Sequence, residues 1–361
     1  MKVLLAAGGT AGHIEPALTL ADTLTADDPA VEVVFVGRSV GLESRLIPDR
    51  GRRLRTLPAV PMPRKPSADM LLIAPRVAGS VRQMRRILAE EKPDVVVGFG
   101  GYVAAPAYLA ARTAGIPIVI HEANARAGMA NRLGARFTPF VAEAVAGSIP
   151  GATTMGMPLR ASIVTLDRSD RRAEARAHFG LEPDRTTLLV FGGSLGAKRL
   201  NEVVTGAADD LRAAGVQVLH AVGESGAGVT PVAEHPVPYV TLPYIDRMDL
   251  AYAAADLAIT RAGAMTCAEL AAVGLPAVYV PLPIGNGEQR LNAQPVVAAG
   301  GGLLIEDADF TAGALRAQVL TLLADPARLA AMGQAASGHG VRDADRRLAD
   351  MVRSAASGGQ R

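Results

Sequence analysis

Tryptophan is absent from this 361-residue chain, and aromatic residues make up only 4% of it. Stacking platforms for single-stranded nucleic acid are built from such rings, so their scarcity argues against that class of binder. A formal net charge of +2 argues the same way. Cysteine is nearly missing too. Cys267 stands alone among alanines, which rules out an intrachain disulfide and reads as a small buried hydrophobe in a reducing compartment. Lysine occurs only at Lys2, Lys65, Lys92 and Lys198, so arginine carries nearly all the positive charge and one Arg is weak evidence of phosphate recognition. Long apolar runs are also lacking. The opening run stops at Gly8-Gly9, too early for a secretory core. The uncharged stretch Val95 to Ala111 holds three glycines and a proline and falls short of a membrane span. These absences predict a soluble cytoplasmic protein with no transmembrane helix.

What is present is hydrophobic and glycine-rich. Forty-nine per cent of the residues are hydrophobic and 38 are glycine, enough for packed cores, and the length predicts two domains. Val3-Leu4-Leu5-Ala6-Ala7-Gly8-Gly9-Thr10-Ala11-Gly12-His13 reads as a buried parallel strand, a tight turn and a helix start. A helix beginning near Ile14-Glu15-Pro16, with Pro16 in its first turn, points its positive end at an anion. The glycine order differs from the dinucleotide fingerprint Gly-x-Gly-x-x-Gly, so the turn alone is compatible with a plain α/β connection.

Further along, Pro16 to Thr25 reads as a helix with Leu18, Ala21 and Leu24 on one face, and Val31 to Gly37 as a strand. That βαβ opening predicts a parallel sheet with ligands at its carboxyl edge. Pro93 to Tyr102 repeats strand then Gly-Gly, and Ile116 to Asn124 is a strand ending in His121-Glu122-Ala123-Asn124. Gly147 to Pro158 is loop-like and marks the domain boundary. Thr186 to Ala197 then restates the first motif, its glycine pair 184 positions after Gly8-Gly9. Strands at Val216 to Val222, Tyr239 to Leu242 and Leu257 to Thr260 follow, with helices from Met248 and after Arg261. The tail beyond about Phe310 is alanine-rich and helical with a glycine-rich end.

Residues 50 to 86 carry ten basic residues against the single acid Asp69. They include the apolar run Met70 to Pro75, and a helical segment with Val81, Met84 and Leu88 on one stripe beside Arg82, Arg85 and Arg86. Such a stretch suits an anionic membrane surface, and equally a solvated Arg-rich helix packed on the sheet by its stripe.

Six ordered motifs together are specific: Gly8-Gly9-Thr10-x-Gly12-His13, Gly100-Gly101-Tyr102-Val103, His121-Glu122-x-Asn124, Gly192-Gly193-Ser194-x-Gly196-Ala197, Arg261-x-Gly263-Ala264-x-Thr266-x-x-Glu269 and Glu288-Gln289-x-x-Asn292-Ala293. From Val3 to about Gly300 the chain resembles the bacterial peptidoglycan N-acetylglucosaminyltransferases of glycosyltransferase family 28. The resemblance implies an α/β GT-B fold, two Rossmann-like domains with parallel sheets facing a central cleft. It implies an N-terminal acceptor- and membrane-associating domain over 1–158, a C-terminal UDP-N-acetylglucosamine-binding domain over 159–340, and a helical tail over 341–361 that packs back on the first domain. The implied reaction is inverting transfer of N-acetylglucosamine from UDP-N-acetylglucosamine to the C4 hydroxyl of the muramic acid in lipid I, giving lipid II without a cofactor or catalytic metal. A diacylglycerol-type lipid glycosyltransferase and a non-catalytic nucleotide-sugar-binding regulator are the alternatives.

By the same resemblance, Ser194 contacts the diphosphate and Ile245 holds the uracil by its backbone. Ala264, Met265 and Thr266 line the diphosphate and sugar, Glu269 accepts from the ribose and Gln289 reads the sugar. Arg160 reaches the nucleotide, and Thr10, Ala11, Gly12 and Asn124 approach the donor. Thr266-x-x-Glu269 also has the spacing of a capping box. Asp307-Ala308-Asp309 and Asp343-Ala344-Asp345 have a metal-motif spacing but lie far from the glycine turns, and read as caps or solvated acids. An acceptor hydroxyl must lose a proton as it attacks; His13 is the first candidate base, with His121 and Glu122 behind it. Glu288 departs from the Gln usual in the family. A lipid-bound acceptor favours docking of Leu71, Leu72, Ile73, Arg82, Arg85 and Arg86 on the anionic cytoplasmic face of the membrane, as a peripheral protein.

Overall fold

The computed structural model describes residues 1–58, 73–193, 197–224, 226, 229, 233–284 and 286–358. Leu71, Leu72 and Ser194 lie outside that set, as does the side chain of Ile73. The chain divides into two compact units, residues 1–160 with 342–361, and residues 161–341.

In the N-terminal unit, β1 (Lys2–Ala6), β2 (Glu32–Arg38), β3 (Arg53–Leu57), β4 (Val95–Gly98), β5 (Ile118–Glu122), β6 (Val141–Glu143) and β7 (Thr153–Thr154) form one sheet in the order β3-β2-β1-β4-β5-β6-β7. The C-terminal unit holds β8 (Thr187–Phe191), β9 (Gln217–Ala221), β10 (Tyr239–Leu242), β11 (Leu257–Thr260), β12 (Ala277–Tyr279) and β13 (Gly302–Leu304), ordered β10-β9-β8-β11-β12-β13. Every pairing is parallel. The motif that recurs along the sequence therefore opens the same topology twice.

Helices cover both faces of the first sheet, which is why its central strands read as unbroken apolar runs. Val3, Leu5 and Ala7 pack on Ile14, Leu18, Ala21 and Leu24 of the opening helix. Leu4 and Ala6, on the alternate face, meet Met84, Leu88, Ala104 and Tyr108. Burying each such Leu or Ile side chain contributes about 1.5–3 kcal/mol. The helix Ala344–Gly358 joins the first face through Leu348, Ala349, Val352 and Ala355. Asp345 accepts a hydrogen bond from the Thr23 hydroxyl at 2.7 Å, and Arg347 donates to the carbonyl of Thr154 at 3.0 Å.

Several expectations shift. The opening helix runs Ala11–Asp27, three residues earlier than Ile14, so Pro16 falls in its second turn. There Pro16 has no N–H to offer the Gly12 carbonyl. The stripe of the segment 79–91 is not free for a membrane: Met84 is 0% and Leu88 4% exposed, packed from helix Ile73–Glu91 into the core beneath the sheet. The basic stretch is in part neutralised, because Arg53 and Arg55 hold Glu91 at 2.8 and 2.9 Å and Arg52 holds Asp22 at 2.6 Å. Three of these arginines flank or form β3, a strand hidden in the sequence by its alternating charges. Arg82, Arg85 and Arg86 stay exposed, Arg85 donating to the Thr113 hydroxyl at 3.2 Å. Among the described residues no helix is long and apolar enough to cross a membrane.

The terminal helix is thus part of the N-terminal core. Replacing Leu348, fully buried against that face, by Ala is expected to cost about 2–5 kcal/mol, read as a lower urea midpoint for the N-terminal unit.

Candidate active site

Pairing between β1 and β4 sets Ala6 opposite Gly98, so the turns that follow lie side by side at the carboxyl edge. This is where the strand order reverses, the place where open parallel sheets bind ligands. Gly9 and Gly100 both sit in the left-handed region, at φ 93° and 94°, which side chains rarely adopt. Gly101 is constrained more tightly: a Cβ there would meet the Gly8 carbonyl oxygen at 2.4 Å.

His13 stands in the first turn of the opening helix beneath Gly100. Its Nδ1 lies 3.2 Å from the Gly8 carbonyl oxygen and 3.3 Å from Thr10 Oγ1. A carbonyl can only accept, so Nδ1 carries the proton and Nε2 is left as the basic nitrogen. Burial pushes the His13 pKa below the ordinary imidazole value, opposed by the Gly8 hydrogen bond and by the charges of Glu122 and Glu43. The ring is therefore neutral at neutral pH. The helix N-cap, Thr10, makes no side-chain cap bond.

His121 and Glu122 occupy a different position. His121 is 0% exposed, its Nε2 donates to the Gly156 carbonyl at 2.9 Å, and Nδ1 is enclosed without a partner. Burial lowers its pKa as well. Glu122 is 2% exposed and gathers the loop after β5: it accepts from the backbone N–H of Asn124 at 2.9 Å and of Gly128 at 3.1 Å, and from Asn131 Nδ2 at 2.9 Å. Asn131 in turn accepts from the Tyr108 hydroxyl at 2.7 Å. These two residues brace the strand end, and both are closed off from solvent. Asn131 and Tyr108 had no signal in the sequence.

In the C-terminal unit, Phe191 pairs with Thr260, which sets Gly192-Gly193 beside Arg261-Ala262-Gly263 at the equivalent switch point. Gly193 repeats the backbone of Gly9, with φ 92°. The helix Ala264–Val273 starts from Gly263 with no side-chain cap. Its first N–H groups, from Ala264, Met265 and Thr266, therefore point outward unclaimed by a capping side chain, a ready anion site. The capping-box alternative for Thr266 and Glu269 is thereby corrected: the N-cap is Gly263, and Glu269 lies a turn and a half inside. Glu269 is 5% exposed and accepts from the Tyr252 hydroxyl at 2.7 Å.

Around this turn, Arg261 donates to the carbonyls of Val280 and Pro281 at 3.0 and 3.2 Å and pairs with Asp307 at 2.6 Å. Asp307, only 14% exposed, is thus no solvated acid, and it also faces Arg199 at 3.3 Å. Gln289 Oε1 accepts from the Leu282 N–H at 3.0 Å, and Asn292 reaches the Ala262 carbonyl at 3.4 Å. Glu288 exchanges hydrogen bonds with Asn286, accepting its N–H at 3.2 Å while its own N–H goes to Asn286 Oδ1 at 3.3 Å. Ile245, after β10, is buried, only 4% exposed. Arg160 closes the N-terminal unit and is half-buried. Cys267 is buried, and burial raises its thiol pKa, in keeping with a structural role.

Two parallel α/β units of one strand order, each with glycine turns and an uncapped helix N-terminus at its switch point, form the architecture of the two-domain glycosyltransferases. The N-terminal domain of glycosyltransferase family 28 matches residues 3–142, and the C-terminal domain of that family matches residues 187–348. The chain belongs to glycosyltransferase family 28. It is 58% identical over 355 residues to the UDP-N-acetylglucosamine–N-acetylmuramyl-(pentapeptide) pyrophosphoryl-undecaprenol N-acetylglucosamine transferase of Streptomyces avermitilis, covering 98% of each chain. The enzyme of the same name from Mycobacterium bovis is 56% identical, over 99% of this chain and 90% of its own. Among solved structures, MurG from Acinetobacter baumannii aligns with a TM-score of 0.75 at 30% identity, over 98% of this chain and 100% of that one. A UDP-GlcNAc 2-epimerase from Neisseria meningitidis, at 14% identity and TM-score 0.66 over 98% and 100% of the two chains, shares the fold alone.

A third histidine gives a test of this edge of the C-terminal sheet. His220 on β9 donates from Nε2 to Asn201 Oδ1 at 3.0 Å and accepts the Tyr239 hydroxyl on Nδ1 at 2.9 Å. Burial lowers its pKa to about 4. The folded state thus binds fewer protons than the unfolded one, so the stability this imidazole contributes is present above pH ~6.5 and is lost as pH falls toward about 4. Urea midpoints measured between those limits should fall more steeply in the unaltered protein than in His220→Phe.

Proposed function

We propose that this chain transfers N-acetylglucosamine from UDP-N-acetylglucosamine to the C4 hydroxyl of the muramic acid in undecaprenyl-diphospho-muramoylpentapeptide, lipid I, to give lipid II with inversion at the anomeric carbon. The observation that carries this reading is the end-to-end likeness, 58% over 98% of both chains, to a relative named for that transfer. The geometry of each unit supplies what the chemistry requires.

The new bond joins the acceptor oxygen to the anomeric carbon as the bond from that carbon to the diphosphate breaks. His13 Nε2 takes the hydroxyl proton, since the Gly8 carbonyl holds Nδ1–H and leaves Nε2 unprotonated. The departing UDP gains negative charge, which the first N–H groups of helix Ala264–Val273 and the Gly192-Gly193 turn with Ser194 stabilise. Thr266 and Gln289 orient the sugar. Glu269, whose carboxylate accepts from the Tyr252 hydroxyl, serves the ribose, and Ile245 presents its backbone to the base. Arg160, Thr10, Ala11, Gly12 and Asn124 complete the contacts to the donor. Because the imidazole pKa is lowered, the acid limb of kcat/KM is expected below pH ~6.5.

His13→Ala is expected to lower transfer about 10²–10⁴-fold with donor affinity nearly unchanged, measured by radiolabel transfer from UDP-N-acetylglucosamine to a short-chain lipid I analogue. Unchanged transfer would remove His13 as the base, and transfer to diacylglycerol in place of the lipid I analogue would favour the other lipid-glycosyltransferase reading.

Lipid I resides in the membrane, so the enzyme works as a peripheral protein on the cytoplasmic face. The exposed Arg82, Arg85 and Arg86, with the apolar residues Leu71, Leu72 and Ile73, form the docking segment, each cation adding about 1 kcal/mol at an anionic surface. Replacing Leu71, Leu72 and Ile73 together by Ser should weaken binding to anionic vesicles in a sedimentation assay. Equal binding by both proteins would sink this docking site.

A further inference from the structure

Glu43 is a buried carboxylate that no part of the proposed reaction uses. It opens the helix Glu43–Asp49, its side chain is 0% exposed, and it fills a niche walled by glycines. A Cβ at Gly8 would meet Glu43 Oε1 at 2.9 Å, one at Gly37 would meet Glu43 Cγ at 3.0 Å, and one at Gly41 would meet Glu43 Oε2 at 3.1 Å. The carboxylate accepts Arg38 Nε at 2.8 Å and the backbone N–H of Gly9 at 3.3 Å. Gly9 N–H belongs to the same peptide group as the Gly8 carbonyl, which accepts Nδ1–H of His13 at 3.2 Å.

We propose that Glu43 is a positioning residue for His13, acting through the Gly8-Gly9 peptide: its carboxylate takes the N–H on one end of that group while the imidazole donates to the carbonyl on the other. The inference rests on the reading of His13 as the base. A carboxylate at the N–H shifts electron density onto the carbonyl oxygen and makes it a better acceptor, since hydrogen bonds in a chain polarise one another. Two consequences follow for the ring. Nδ1–H is held as the donor, which fixes the tautomer with Nε2 open, and the imidazolium formed on proton uptake is stabilised. No proton crosses the peptide. The arrangement does for His13 what a carboxylate in direct contact does for the histidine of a hydrolytic triad, with one peptide interposed.

The other charged or titratable groups that bear on the ring are Glu122, which supports its protonation, and His121, which faces it from the same strand. Arg38 bears on Glu43, not on the ring. Burial alone pushes the Glu43 carboxyl up, but Arg38 and the backbone N–H groups outweigh it and hold the pKa below the usual carboxylate value. At neutral pH Glu43 is thus charged while His13 is neutral.

The test uses the full chain, with 15N-labelled histidine and the His13 signals assigned by their loss in His13→Ala. The unaltered protein should show the Nδ1–H tautomer. Glu43→Gln should mix the tautomers, lower kcat about tenfold and move the acid limb of kcat/KM to lower pH by about half a unit to one unit, because an opposite charge that favoured the imidazolium is gone. Glu43→Asp keeps the charge and should restore part of both shifts; it also serves if the Gln protein does not fold. In the His13→Ala background, Glu43→Gln should cause no further loss of transfer. A ring tautomer and acid limb unmoved by Glu43→Gln, or losses that add in the double variant, would overturn the proposal while leaving His13 as the base. If His13→Ala retains full transfer, the base reading fails, and the tautomer measurement still decides whether Glu43 governs the ring.

Discussion

The peptide between Gly8 and Gly9 has neighbours on every side and room for a side chain on few of them. Glu43 closes on its N–H, His13 on its carbonyl, and Gly101 lies so near that a Cβ would stand 2.4 Å from the carbonyl oxygen. Three chain segments distant in sequence, the turns after β1 and β4 and the helix after β2, therefore meet on one peptide group. That meeting requires parallel β1, β2 and β4 in their observed register, and the register requires apolar strands buried on both faces. The position of the imidazole is in this sense a consequence of sheet packing: shift β4 by one residue and Gly98 no longer stands opposite Ala6.

The C-terminal unit solves a different problem with the same parts. Its Gly193 repeats the backbone angle of Gly9, and its strands follow the same order. No histidine follows the glycine pair there. What stands at the switch point is a helix whose N-cap is a glycine without a side-chain acceptor, so its N–H groups remain available to phosphate. Arg261 does not extend toward that anion site. Its guanidinium is spent on two carbonyls and on Asp307, which fixes the loop from which the helix starts. In the proposed reaction backbone dipoles rather than a flexible cation face the leaving group, and a dipole held in place needs no reorganisation when charge develops.

The sequence revealed strand ends far better than it revealed the groups beneath them. Gly-Gly after an apolar run is visible at residues 8, 100 and 192 because backbone geometry constrains residue type locally, and the strands at Tyr239 and Leu257 were legible as short apolar runs. The edge strand β3 was not: Arg53 and Arg55 alternate along it and find Glu91 on a distant helix, and a pairing of that separation leaves no local pattern. The Pro16 reading failed by one turn, because a proline is tolerated in a helix that begins earlier when the carbonyl it cannot satisfy, that of Gly12, lies near the helix start. The stripe of Val81, Met84 and Leu88 was ambiguous for a further reason: amphipathic spacing reports that one face is apolar, never what covers it, and here the sheet covers it.

Glu43 marks the limit of motif reading most sharply. On its own it is one acid in a surface-like run, Gly41-Leu42-Glu43-Ser44-Arg45, and its burial depends on glycines at 8, 37 and 41 that the sequence offers for no evident reason. Seen together, the small residues and the acid explain one another, since a carboxylate can be desolvated only where Arg38 and a free N–H meet it. A stability role accounts for the pairing with Arg38. It does not require that the free N–H be the one whose peptide carbonyl holds the imidazole, nor that the carboxylate be charged at neutral pH beside a neutral His13. The coincidence of those two features at a single peptide is what turns a buried ion pair into a device for setting a tautomer, and it places the origin of basicity at Nε2 outside the glycine turn, on the helix after β2.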